Sequence, residues 1–107
     1  LKTKIQKLQE LGFDNIIIDP GFGFGKSIDD NFKILKELES LQTLNRPIIV
    51  GLSRKSMIYK TLSITPEESL NGTTALNILA LERGANILRV HDAKEASQCI
   101  SLLKKLN

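Results

Sequence analysis

The chain has 107 residues, 41% hydrophobic and 25% charged, with a net charge of +3 at neutral pH, which fits one soluble globular unit. A unit of this size buries only about 60–68% of its unfolded surface, so its core is modest. Aromatic residues at 5% argue against single-strand stacking platforms, the lone Cys99 excludes an internal disulfide, and no apolar run approaches the ~18 residues of a membrane span.

Residues 2–11 read as a helix with Ile5, Leu8 and Leu11 on one side and Gly12 as its stop. Residues 15–19 form a short, continuously apolar run, the kind of strand buried on both faces. Then comes "PGFGFGKS", which has the order strand, glycine loop, helix start of a phosphate-binding loop. Its spacing is wrong. The pattern G-x-x-x-x-G-K-[ST] wraps a phosphate in backbone amides, and here its first glycine falls on Pro20, which has no N–H to give. The dinucleotide pattern G-x-G-x-x-G fails as well, at Lys26 or Ile28. Asp29 or Asp30 is the expected cap of a second helix running to about residue 41, with Phe32, Leu35 and Leu38 inward.

Pro47 introduces a second apolar strand over 48–52. Thr65, Pro66, Glu67 and Glu68 announce a third helix: a threonine cap, a proline in the first position and a glutamate closing the capping box. It is expected to run to about Arg83, with Gly84 as its end, and residues 75–81 are apolar nearly all round, as in a mostly covered helix. A third strand over 87–90 follows. Asp92 and Glu95 read as another capping box, opening a last helix with Ala96, Cys99, Ile100, Leu103 and Leu106 inward. The stretches "GFDNIIID" and "GANILRVHD" form a faint repeat.

Helix and strand alternate without a hairpin signal, which builds parallel sheet with right-handed crossovers. About three parallel strands neither close a barrel nor cover both sheet edges. The pattern therefore reads as the C-terminal part of a larger α/β domain rather than as a very small one.

In parallel α/β architectures, function gathers at the C-terminal ends of strands. Those ends carry Asp19, then residues 51–56 (Gly-Leu-Ser-Arg-Lys-Ser), then residues 89–92 (Arg-Val-His-Asp). Strand alternation puts Arg89 and the single histidine, His91, on one face. Singly, each has a plainer reading. Asp19 before Pro20 starts a turn, Arg54 and Lys55 are solvated charges, and His91 is a helix-entry residue. Phe22, Phe24 and Cys99 are packing. Together, a polar cluster at every strand end points to a site, and the positive excess suits an anionic small molecule.

The motifs "DPGFGFGK", "GLSRKS" and "NGTTALNILALERGANILRVHD" resemble the last βα units of the dihydropteroate synthase family, in order and at family spacing. The resemblance covers nearly the whole chain. It implies that residues 1–107 are the C-terminal portion, about three βα units, of a TIM (β/α)8 barrel with parallel strands and outer helices. The family condenses 6-hydroxymethyl-7,8-dihydropterin pyrophosphate with p-aminobenzoate in folate synthesis, and sulfonamides block the p-aminobenzoate site. Carried over by position, Asp19, Gly51, Lys55 and Arg89 bind the pterin, and Arg89 and His91 the pyrophosphate. Phe24, Lys55 and Ser56 line the p-aminobenzoate pocket; Lys55, Arg89 and His91 do the catalytic work. The implied cofactor is Mg2+, with ligands in the N-terminal half of the family's barrel and none here. The implied setting is a cytoplasmic homodimer with small-molecule substrates and neither nucleic acid nor membrane as partner. The alternatives are a pterin-binding methyltransferase domain on the same barrel, or a non-catalytic anion- or nucleotide-binding module built on Gly25, Lys26 and Ser27.

Overall fold

Three parallel segments lie side by side at the centre of the computed structural model, which describes residues 2–23 and 25–107. The two regular strands are β1 (Ile49–Val50) and β2 (Ile87–Leu88), paired in parallel with Ile49 opposite Ile87 and Val50 opposite Leu88. On the other side of β1, Ile18 forms a parallel bridge with Ile48: Ile18 N–H donates to Pro47 O at 2.8 Å, and Ile49 N–H to Ile18 O at 2.9 Å. The alternation of helix and strand thus yields the expected parallel α/β arrangement, with less regular strand and more helix than the apolar runs suggested.

Position in the sheet explains which strand is covered. The central one is buried throughout its core positions, Ile48, Val50 and Leu52 being 1%, 0% and 0% exposed. The segment 15–19 was expected to be buried on both faces and is not: Ile18 is buried while Ile17 is 55% exposed. It lies at the sheet edge with only one face packed.

Local chemistry sets the helices. The first, α1 (Lys2–Glu10), buries Ile5 alone and leaves Leu8 and Leu11 exposed, so the expected three-residue inner stripe shrinks to one contact. The second, α2 (Ile28–Lys36), is capped by Ser27 rather than by Asp29 or Asp30. Ser27 Oγ accepts from Asp30 N–H at 3.0 Å, and the Asp30 carboxylate accepts in return from Ser27 N–H, so the aspartate closes a capping box. Beyond Glu37 the chain tightens into a 3-10 segment, Leu38–Leu44, in place of the expected helix to residue 41. Leu38 stays at the centre of the core, 1% exposed.

A helix that the sequence did not announce, α3 (Ser56–Leu62), follows β1; Lys55 precedes it with no side-chain cap, so there was no signal to read. The capping box at Thr65 and Glu68 forms as expected, yet it closes only a 3-10 turn, Pro66–Glu68. Helix α4 (Leu70–Glu82) starts after it. In that turn Pro66 O accepts from Ser69 N–H at 3.2 Å and from the Ser69 hydroxyl at 2.6 Å, and the Arg54 guanidinium donates to Pro66 O and Glu67 O, both at 2.9 Å. In a continuous helix those carbonyls would accept from the amides four residues on.

Helix α4 lies between α3 and α5 (Ala93–Leu106). Gly72 sets its approach to α3, because a Cβ there would come within 2.6 Å of Ile58 Cγ2. The expectation of a mostly covered α4 holds for Asn77 and Ala80 but not for Leu79, 39% exposed. On α5, Ala96 and Cys99 point inward, whereas Ile100 and Leu106 are exposed at 38% and 79%. The expected box between Asp92 and Glu95 does not form, because Asp92 is committed to Arg54.

Candidate functional site

The C-terminal ends of the three parallel segments share one rim. A cleft of about 140 Å³ opens there, lined by Gly51, Ser53, Lys55, Arg89, Val90 and His91. Gly51 brings the backbone directly under a cation: a Cβ at this residue would stand 2.8 Å from Arg89 Nη2 and 2.9 Å from Nε. Arg89 reaches from there toward Asp19, with Nη2 3.9 Å from Oδ2, both side chains being about half open to water. The other Asp19 oxygen, Oδ1, accepts from Gly21 N–H at 2.9 Å, so the residue starts a turn and also faces the cleft's arginine.

Lys55 crosses from the β1–α3 loop to the glycine loop, where Nζ donates to Phe22 O at 2.8 Å. Burial lowers its proton affinity below that of an ordinary lysine; nearby Arg89 lowers it further, against the pull of Asp19. The glycine loop is held in place by Asn31, 1% exposed, on α2. Asn31 Oδ1 accepts from Gly23 N–H at 2.7 Å, and Nδ2 donates to Ser27 O at 2.9 Å. Gly23 is in the left-handed region at φ +104°, and a Cβ there would come 3.1 Å from Lys55 Nζ. On the third segment, His91 N–H donates to Ser53 Oγ at 3.3 Å, tying the two rim loops together.

The structure thus brings together Gly51, Lys55, Arg89 and His91, with Asp19 alongside. Ser56 is half-buried as the first residue of α3 and does not line the cleft. Phe24 lies outside the described residues. Several residues escaped sequence reasoning. Asn31 looks like any polar position of a helix. Ser53 is a buried hydroxyl in a motif whose charges draw attention. Arg54 looks like a surface cation, but it sits at φ +54° and forms a two-pronged pair with Asp92. Lys26 folds back so that a Cβ on Gly21 would come 3.0 Å from its Nζ, and its charge reaches Lys55. A larger cleft, about 350 Å³, opens at the opposite ends of the strands beside Gln42, Asn45, Arg46 and Asn86, and has no carboxylate or histidine in its lining.

The rim can therefore do two things chemically. It offers paired carboxylate acceptors to a donor-bearing ring, and cations to an anion. The family profile described as "Pterin binding enzyme" matches residues 1–91. The chain belongs to the pterin binding enzyme family. Among relatives, the dihydropteroate synthase of Escherichia coli K12 is 38% identical over 103 residues, covering 94% of this chain and 36% of that protein. The chain thus spans about a third of the length of such relatives. Among solved structures, the dihydropteroate synthase of Yersinia pestis superposes with a TM-score of 0.91 at 34% identity, over 98% of this chain and 50% of that one. The Coxiella burnetii dihydropteroate synthase in complex with pteroic acid superposes at 0.89 and 38% identity, over 96% of this chain and 39% of that one.

Among the described residues, no three His, Cys, Asp or Glu side chains gather into a metal ligand set. The chemistry derived from them runs through hydrogen bonds and side-chain charge. No helix among them is long and apolar enough to cross a membrane.

Proposed function

We propose that residues 1–107 supply about the last three βα units of a TIM (β/α)8 barrel that makes dihydropteroate, as the family's architecture implies. The observation that carries this reading is the rim cluster of Asp19, Lys55, Arg89 and His91 on a chain of the pterin binding family. On this reading the substrates are 6-hydroxymethyl-7,8-dihydropterin pyrophosphate and p-aminobenzoate, and the pteroic acid held by the Coxiella relative joins both halves of that product. Asp19 accepts from the pterin's ring N–H and amino group, two adjacent donors for two acceptors. Lys55 reaches the pterin oxygen and ring nitrogen. Arg89 lies flat against the ring, in the space that only a glycine at 51 leaves open.

The amine nitrogen of p-aminobenzoate forms a bond to the pterin methylene carbon as the bond from that carbon to the pyrophosphate oxygen breaks. The bond's electrons leave with pyrophosphate, and the amine sheds one proton to solvent. Arg89 and His91 stabilise the charge that develops on the departing anion, where preformed donors are most effective. Ser56 and Phe24 line the p-aminobenzoate side. A Mg2+ ion would be held by residues elsewhere in the barrel, and the chemistry it would supply is shielding of the pyrophosphate charge. The assembled enzyme works in the cytoplasm as a homodimer, and this chain by itself is catalytically silent.

The test is to exchange this chain for the matching 103 residues of the E. coli relative in cells that lack their own dihydropteroate synthase. Growth without added folate products, together with dihydropteroate formation by the purified hybrid, is the expected result. A folded hybrid that transfers methyl groups and releases no pyrophosphate would move the assignment to the methyltransferase branch. Tight ATP binding through Gly25, Lys26 and Ser27 would move it to a nucleotide-binding module.

A further inference from the structure

Arg54 makes five hydrogen bonds beside the cleft, one from its backbone and four from its side chain. Its N–H donates to Thr73 Oγ1 on α4 at 3.0 Å, and Nε and Nη2 donate to the Asp92 carboxylate at 2.9 and 3.0 Å. Nη1 holds two carbonyls of the 66–68 turn. The residue adopts φ +54°, a conformation that a non-glycine side chain keeps only when its surroundings impose it. It thereby joins the loop that carries Lys55 to the loop that carries Arg89 and His91.

Asp92 directly follows His91. Hydrogen bonds from Arg54 hold its carboxyl below the usual range, and the charges of Arg54 and His91 add to that lowering. The charges of Glu67 and Glu95 also act on Arg54, whose ion pair is with Asp92. Without it, Asp92 would present an uncompensated negative charge beside His91, against any anion approaching the rim. Like charges placed together in this way exclude a ligand as effectively as a steric block.

We infer that Arg54 is a positioning residue for the anion subsite: it locks the two rim loops together and cancels the charge of Asp92, so that Arg89 and His91 face a diphosphate group. The inference rests on the functional reading above. It separates charge cancellation from simple scaffolding, because the fork and the charge can be removed one at a time.

The experiment is calorimetric titration of the full chain with inorganic pyrophosphate, with thermal melting alongside. Arg54→Ala should weaken binding about tenfold or more, as loss of a compensating charge beside an anion site does. Arg54→Ala combined with Asp92→Asn should regain most of that affinity while melting no higher than Arg54→Ala alone. If the double variant binds no better than the single one, Arg54 is only a scaffold and the inference falls. Arg54→Ala with parental affinity overturns it too. Should Arg54→Ala not fold, Arg54→Lys must bind more tightly than Arg54→Gln, and equal affinities count against the inference. A parent chain that takes up no pyrophosphate, beside a hybrid barrel that makes dihydropteroate, removes this inference alone, and failure of both removes the functional reading with it. A parent that binds beside a failed rescue removes this inference alone.

Discussion

Gly51→Ala separates function from stability at this site. The added Cβ would lie 2.8 Å from Arg89 Nη2, 2.9 Å from Nε and 3.2 Å from Cζ, closer than side chains pack, so the guanidinium has to move. Arg89 is 63% exposed and has open water to move into. The fold should therefore lose little: an off-rotamer side chain costs about 0.5–1.5 kcal/mol. A hydrogen bond to an ionised group contributes about 1.5–3 kcal/mol, and the open setting of Arg89 favours the lower end. Displacing the guanidinium should then weaken pyrophosphate binding by roughly tenfold, up to about 150-fold if the bound anion shuts out water. Calorimetry on Gly51→Ala, Arg89→Ala and the double variant forms a cycle. The alanine at 51 should cost nothing further once Arg89 is gone. Undiminished affinity in Gly51→Ala, or an additive loss in the double variant, would refute the claim that Gly51 exists to seat Arg89.

Gly72→Ala makes the opposite case. Its Cβ would meet Ile58 Cγ2 at 2.6 Å and Leu62 Cδ1 at 3.2 Å. With Ile58 buried, overpacking of about 1–3 kcal/mol should outweigh the ~1 kcal/mol gain in helix propensity. Urea unfolding measures the net loss, and a stabilised variant would show that α3 and α4 can part freely. Asn31→Ala strands Gly23 N–H, while Ser27 O keeps the backbone N–H of residue 31, and the loss should cost about 1–3 kcal/mol. Hydrogen exchange should show the Gly23 amide losing its protection. For Asp92, the carboxyl is depressed in the folded state, so its contribution is complete above the unfolded value near 4 and is lost as pH falls through the depressed one. The melting-temperature gap between the parent and Asp92→Asn should therefore be constant above about pH 5 and close in acid. A gap that widens in acid has the wrong sign.

What the sequence carried reliably was whatever depends on neighbours along the chain. Apolar runs introduced by Pro47 and ended near Leu52 became the covered central strand, because a parallel strand with both faces packed needs no alternation. The Thr65 to Glu68 box closed as written, its four residues being sufficient for both bonds. The cluster of Asp19, Lys55, Arg89 and His91 was visible because topology delivers strand ends to one rim whatever the details.

The tertiary structure decided everything that turns on a partner far along the chain. Arg54 and Asp92 stand 38 residues apart, and only folding showed that the guanidinium holds the carboxylate and two carbonyls of the Pro66–Glu68 turn. Exposure was also decided there. Ile17, Leu79 and Ile100 have the same local patterns as buried neighbours, yet the edge position or the open helix face leaves each of them in water. Periodicity states which side of an element is apolar. Whether another element covers that side depends on contacts between distant parts of the chain, which no local pattern contains.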